Sequence, residues 1–444
     1  MTVHDLPTYL RGDLAPVPDE IEAFDLPVTG ALPPELTGRY VRNGPNPPVG
    51  ADPGHWFLGD GMLHGVRLRG GRAEWYRNRW VRTSRFTSGA PFLRSDLTVD
   101  RAANAANTNV IRHAGRWYAL VENGLPYEVD AELGTVGVCD FGGRLATAMT
   151  AHPKTDPVTG ELHFFGYGFA EPYLTYHRLS AAGELVHSRV VDVPGPTMMH
   201  DFAITENHVV WLDLPVVFDL ARAGRGGMPY GWDDGYGARL GVMPKAGGAV
   251  TWHEVDPCYV FHVGNAHERP GGVVVVDAVR YSRESFDQFW FGAENSVPGA
   301  LEVPGSSEKG PVLHRWEISS DDTPVIERQL DDLSVEFPTI NDSLTGLPGR
   351  YIYAVADTEI VKYDLAGGAV GRYSARGRAG EAVFVPAADP GAGEDDGWLL
   401  SLVTGPDGAE LVVLDATGMT EVASVRLPRR VPAGFHGHWL PDLP

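Results

Sequence analysis

The sequence predicts an all-β protein, and within that class a β-propeller, on three observations. A turn residue followed by a short β-branched or aromatic run recurs along the chain. Glycine and proline are dense, 54 and 35 of 444 residues, so the chain turns often, yet 43% hydrophobic content is too high for a disordered polymer. Neighbouring runs have no helical pattern between them, which excludes the alternating strand and helix order of Rossmann and TIM folds.

The runs come in order as Gly115-Arg-Trp-Tyr-Ala-Leu-Val, Gly160-Glu-Leu-His-Phe-Phe-Gly-Tyr, Asn207-His-Val-Val-Trp-Leu and Gly271-Gly-Val-Val-Val-Val-Asp. Gly349-Arg-Tyr-Ile-Tyr-Ala-Val, Gly397-Trp-Leu-Leu-Ser-Leu-Val and Gly408-Ala-Glu-Leu-Val-Val-Leu-Asp complete the set. Each is an apolar stretch of strand length bounded by turn residues, which reads as a strand buried on both faces. A sandwich, a barrel and a propeller all offer such burial. The even spread of the runs favours the propeller, in which hairpins close radially, although no WD or kelch signature accompanies them. Two segments read as helix. Phe218-Asp-Leu-Ala-Arg-Ala ends at Gly224, a C-cap residue, and Ser282-Arg-Glu-Ser-Phe-Asp-Gln-Phe-Trp fits one or two turns. Gly224 to Gly237, rich in Gly, Tyr and Trp, reads as a long excursion of the kind that carries binding surfaces. Asp389 to Gly397 reads as an acidic surface loop. No linker divides the chain, so residues 1–444 are expected to form one domain.

The formal charge of −22 excludes nucleic acid as a partner, because nothing replaces the counterions around phosphate. It also disfavours a polybasic anchor on an acidic membrane. Cys139 and Cys258 allow at most one bridge and read as reduced, cytosolic thiols. The first thirty residues hold no apolar core with basic flanks, so no secretory signal is expected. No stretch approaches the ~20 apolar residues of a spanning helix. A soluble, cytoplasmic protein, at most peripheral to a membrane, is the expectation.

Among 16 histidines, four have apolar or turn-forming neighbours: His152, His200, His262 and His436. A radial fold can bring such distant residues to one axis. A set of neutral imidazoles suits Fe, Zn, Cu or Ni and disfavours Mg or Ca. Spacing alone does not single out this quartet: the short-range zinc patterns are absent, and His438 shares a strand face with His436. Glu122, Glu336, Glu381 and Asp201 are carboxylates in unusual contexts. Alone, each reads as a turn acid or a strand-edge charge. Beside a ligating imidazole, a carboxylate accepts the second N–H and fixes the tautomer.

Over nearly its whole length the sequence resembles the carotenoid cleavage oxygenases, a family of nonheme iron(II) enzymes. The resemblance runs through Arg42-Asn-Gly-Pro-Asn-Pro, Trp56-Phe-Leu-Gly-Asp-Gly-Met-Leu-His-Gly, Tyr76-Arg-Asn-Arg-Trp-Val-Arg-Thr and Asn107-Thr-Asn. It continues through Glu122-Asn-Gly-Leu-Pro-Tyr, Thr150-Ala-His-Pro-Lys, Met199-His-Asp-Phe, Asn265-Ala, Glu336-Phe-Pro, Val383-Phe-Val-Pro and Gly434-Phe-His-Gly. It implies iron ligands at His152, His200, His262 and His436, with Glu122, Glu336 and Glu381 behind them. It places Thr108 near an open iron position, and it selects His436 over His438 through Phe-His-Gly. It further implies a seven-bladed propeller under a cap of loops and short helices. Asp201 has no metal role in the family and reads as structural, as do His55 and His64. Ala382 stands where the family often has proline, and His267 where it more usually has tyrosine.

The implied reaction splits one C=C bond of a conjugated apolar substrate with O2, giving two carbonyl products. Fe(2+) is the cofactor and no organic cofactor is needed. Carotenoids or apocarotenoids are the favoured substrate class and stilbenes the alternative. Stilbene cleavers of the family typically carry lysine just before the first of the three glutamates; here Val121 can neither bind nor deprotonate a phenol. Leu214-Pro-Val-Val-Phe-Asp-Leu resembles an apolar segment that draws substrate from membranes, or else it begins a buried helix. A retinyl-ester isomerase and a non-enzymatic binding propeller are the remaining, weaker readings.

Overall fold

All seven apolar runs are strands in the computed structural model, which describes residues 6–96, 98–225, 228–291, 310–321, 323–405 and 408–442. They are Arg116–Leu120, Leu162–Tyr167, His208–Asp213, Val273–Tyr281, Tyr351–Ala356, Gly397–Gly405 and Gly408–Asp415. Several of the turn glycines before them reverse the chain at positive φ, as at Gly115 (78°) and Gly271 (90°). Hydrogen bonding among the described residues gathers the strands into seven sheets of four or more strands and one two-stranded ribbon. The fold is a seven-bladed β-propeller.

Contacts divide the chain into two compact units. The first comprises Met1–Ala146, Asp357–Lys362 and Gly371–Pro444. It holds the sheet in which Gly437–Pro441 pairs antiparallel with Gly38–Pro45, so a strand from the chain's end completes a sheet begun near its start. It also holds the four-stranded sheet that starts at Asn109–His113 and the six-stranded sheet built around Gly397–Gly405. One of its core clusters packs Tyr40, Tyr76, Leu400, Leu411 and Val413, all buried. Truncating such a leucine to alanine costs roughly 2–5 kcal/mol.

The second unit comprises Thr147–Ala356 and Tyr363–Val370. It holds three four-stranded sheets, whose first strands are Lys154–Thr155, Ala203–Ile204 and Tyr259–Arg269. Its interior is aromatic: Phe202 stacks on Trp211 at 5.6 Å, and Phe165 meets both edge-on. The sheet from Glu336–Thr339 to Gly368–Ser374 contributes residues to both units.

Three local readings need correction. Phe218 is not helical; it ends the strand Val216–Phe218, opposite Tyr230. The helix is only Leu220–Ala223, because the Asp219 carboxylate accepts from the N–H groups of Ala221 and Arg222 and starts it there. The second helix, Arg283–Phe291, outlasts the one or two turns expected, since Phe286, Phe289 and Trp290 bury one helical face. The excursion after Gly224 contains a strand of its own, Tyr230–Trp232; Gly226 and Gly227 lie outside the described residues. The sequence pattern also misses the helix Ser84–Ser88, capped by Thr83 and by Gly89 at φ 66°. The acidic stretch before Gly397 is a loop. Cys139 and Cys258 are buried and unbridged. Among the described residues no helix is long and apolar enough to cross a membrane.

Candidate metal centre

Seven of the residues singled out in the sequence occupy one recurring position, at or beside an edge strand of a sheet. Thr108 precedes Asn109–His113, His152 precedes Lys154–Thr155, His200 precedes Ala203–Ile204 and His436 precedes Gly437–Pro441. His262 lies within Tyr259–Arg269, Glu336 begins Glu336–Thr339, and Glu381 sits between Arg378–Ala379 and Val383–Pro386. Glu122 departs from the pattern: it is half-buried in the turn after Arg116–Leu120.

In the second unit the rings of His152, His200 and His262 form a mutually packed triad, with centroids 4.6, 5.1 and 5.2 Å apart. All three are buried, and the Nε2 atoms of His152 and His200 stand 3.0 Å apart. His262 Nδ1 donates to Glu336 Oε2 at 2.5 Å, which turns its Nε2 away from the carboxylate. Glu336 is fully buried and accepts two further bonds, from Phe337 N at 2.5 Å and from the Tyr281 hydroxyl at 2.8 Å. Burial first, then the Glu336 charge, push the Tyr281 hydroxyl well above its ordinary pKa, so it stays protonated and donates.

Backbone distortion makes this arrangement possible. Successive side chains of a regular strand point to opposite faces. Here Phe337 adopts φ 52°, rare for a bulky residue, and the pairing register shifts between Glu336 and Thr339. As a result two consecutive residues reach one imidazole: Glu336 takes its Nδ1, and the Phe337 ring stacks on its face at 5.2 Å. The strand carrying His262 also shifts register on both sides of Val263.

In the first unit, His436 Nδ1 donates to Glu381 Oε1 at 2.8 Å, and Gly437 N donates to Glu381 Oε2 at 2.8 Å. Asn43 fastens this segment. Its N–H donates to His436 O, its carbonyl accepts from Phe435 N, and its amide donates to Ala106 O and Asn109 O. Thr108 lies between those last two residues; its carbonyl accepts from His436 N at 3.2 Å and its hydroxyl donates to Asn107. Phe435 packs against Trp56 at 4.5 Å and Phe57 at 4.8 Å, an apolar wall beside His436. Val121 is buried.

Four other histidines weighed in the sequence lie elsewhere in the described structure. His438 lies opposite Val41 in the sheet, and His267 lies opposite Val275. His55 accepts from Phe57 N and caps the short turn Trp56–Leu58. His64 meets the Tyr76 hydroxyl at 2.9 Å. Asp201 accepts from Phe202 N, Val263 N and the Lys154 ammonium. Tyr281, Phe337 and Asn43 were not singled out by sequence reasoning; the last two lie inside quoted motifs, which was their only signal.

The donor set fits a metal ion. Two imidazoles bound at about 2.1 Å and at right angles place their nitrogens about 3.0 Å apart, the spacing of the two Nε2 atoms. The carboxylates beside His262 and His436 each fix a tautomer with the proton on Nδ1 and the lone pair on Nε2.

Comparison with known proteins follows the same lines. A family model described as retinal pigment epithelial membrane protein matches residues 14–441. A carotenoid cleavage oxygenase of Mycobacterium tuberculosis is 40% identical, over 98% of this chain and 97% of its own. A carotenoid 9,10(9',10')-cleavage dioxygenase 1 of Arabidopsis thaliana is 36% identical, over 96% of this chain and 89% of its own. Among solved structures, the lignostilbene dioxygenase of Pseudomonas brassicacearum is similar with a TM-score of 0.86 and 30% identity, covering 99% of both chains. A cobalt-substituted Synechocystis apocarotenoid oxygenase gives a TM-score of 0.81 and 27% identity, over 96% of this chain and 97% of that one.

Proposed function

The chain belongs to the carotenoid cleavage oxygenase family, and we propose that it splits one C=C bond of a carotenoid or apocarotenoid with O2, at an iron(II) held by His152, His200, His262 and His436. It is an enzyme of oxidative alkene cleavage, and its products are two carbonyl compounds. The observation that carries the reading is the buried imidazole triad with Glu336 behind His262.

When bound, iron(II) supplies the electron chemistry by which O2 reacts with an alkene. The chain's own groups do the rest. His152, His200, His262 and His436 hold the ion as neutral ligands. Glu336 and Glu381 take the Nδ1 protons of His262 and His436, so that Nε2 is the nitrogen that would bind the ion; Glu122 would have the same role toward a third ligand. Thr108, joined to His436 through the backbone, would line the side of the ion on which O2 binds. The Trp56, Phe57 and Phe435 wall excludes water and orients an apolar polyene so that one double bond is presented.

Stilbene cleavage is the second reading, favoured by the structural likeness to the lignostilbene dioxygenase. The buried, apolar Val121 argues against it, since it offers a phenol neither a hydrogen bond nor a base. Turnover of an apocarotenal and of a resveratrol-type stilbene, measured side by side on the iron-loaded protein, separates the two. The carotenoid reading expects a shorter aldehyde or ketone from the apocarotenal. Cleavage of the stilbene alone would overturn it.

A further inference from the structure

Asp201 joins three chain segments, and each carries one histidine of the triad. Its carboxylate side chain is only 2% exposed. Oδ1 accepts from Phe202 N at 2.8 Å and from Lys154 Nζ at 2.8 Å, and Oδ2 accepts from Val263 N at 2.8 Å. Phe202 follows His200 by two residues, Lys154 follows His152 by two, and Val263 directly follows His262. Thr150 adds a second stitch: its hydroxyl accepts from His152 N at 3.1 Å and donates to His200 O at 3.5 Å.

We propose that the Asp201–Lys154 ion pair is a positioning element that sets the spacing of His152, His200 and His262, and through it the affinity and ligand geometry of the metal centre. The inference rests on the metal-binding reading above. Glu336 acts on a ring by fixing its tautomer, whereas Asp201 holds two backbone N–H groups and the Lys154 ammonium, one donor from each of the three segments. The chemistry calls for a carboxylate. Three donors converge on it, so an acceptor-only group is required, and an amide would turn its own N–H groups toward one of them. Lys154 neutralises a charge that would otherwise be buried unpaired, which is strongly unfavourable. Metal sites tolerate ligand displacements of only about 0.5 Å, so loosening one of the three segments degrades the site before it unfolds the sheets.

The test is Co(II) titration of the metal-free full-length chain, read by binding affinity and by the visible d–d spectrum, at a temperature where every variant is folded. Lys154→Met is expected to weaken Co(II) binding roughly 10- to 100-fold and to change the spectrum. Lys154→Arg, which keeps the charge, is expected to restore most of both. Asp201→Asn should exceed Lys154→Met; if it does not fold, the lysine variants carry the test. A Lys154→Met protein with wild-type affinity and spectrum would overturn the proposal. So would one whose melting temperature falls while its Co(II) site is unchanged, since that is a purely structural pair. Failure of the wild-type chain itself to bind Co(II) overturns the metal-binding reading instead, and this inference with it.

Discussion

The two units fasten their histidines with different chemistry. In the second unit, Asp201 and Glu336 are buried carboxylates, and each gathers three donors. In the first, the neutral amide of Asn43 fastens the carbonyls of Ala106 and Asn109 on either side of Thr108, while the Glu381 carboxylate gathers only two donors, the His436 ring and Gly437 N. The difference follows from which backbone groups remain to be satisfied. Near His200 and His262 they are N–H groups, which want an acceptor-only side chain. Around Thr108 they are the carbonyls of Ala106 and Asn109, which want a donor without a charge. The two clamps are therefore not interchangeable, although both are short polar residues inside family motifs.

The largest effect should come from the neutral clamp. Asn43→Ala removes the amide donors to the buried Ala106 carbonyl, worth roughly 1–3 kcal/mol, and to the part-buried Asn109 carbonyl, worth about 1 kcal/mol. Denaturant unfolding is expected to show a loss of about 2–4 kcal/mol. A change of a few tenths would mean that Asn43 fastens nothing essential.

Next come the two ring-holding carboxylates. Glu336→Gln turns an amide N–H toward one of three donors, and outer partners of this kind typically contribute 10- to 100-fold in metal affinity. Glu381→Gln meets two donors, one of them a backbone N–H. It should cost less. Fe(II) or Co(II) affinities of the two variants rank the clamps, and a greater loss at Glu381 would invert the comparison.

The smallest effect is expected from mild acid. Burial pushes His163 down to about 3, and His177 and His314 to about 4. All three lie in the second unit. Unfolded, each would protonate near 6.5. The folded state thus binds fewer protons below that value, and stability falls as pH drops through 6.5 toward 4. Between pH 7.5 and 6.5 the loss should be on the order of 1 kcal/mol. Hydrogen exchange should quicken first in the sheets carrying these three residues. Unchanged exchange there would show that they are not held neutral.

The strands were readable because each is an apolar run punctuated by turn residues, a signal contained in a single segment. The helix after Phe218 was less so: Asp219 starts it, and Phe218 answers to a strand partner twelve residues away. The four histidines could be picked out only through motif resemblance, since what distinguishes His436 from His438 is a Glu381 carboxylate 55 residues distant. Tyr281 left no pattern, and Phe337 left only its place in Glu336-Phe-Pro. Phe337 reaches His262 only because the strand bends against its own alternation, and Tyr281 reaches Glu336 from a different sheet.

Iron stoichiometry and O2 uptake, measured together on the wild-type chain and on His262→Ala, address the central claim most directly. About one iron per wild-type chain is expected, with O2 consumed as the apocarotenal is cleaved, and both should be lost when His262 is replaced. Full turnover by iron-free protein, or a His262→Ala variant that keeps its iron and its activity, would contradict the account.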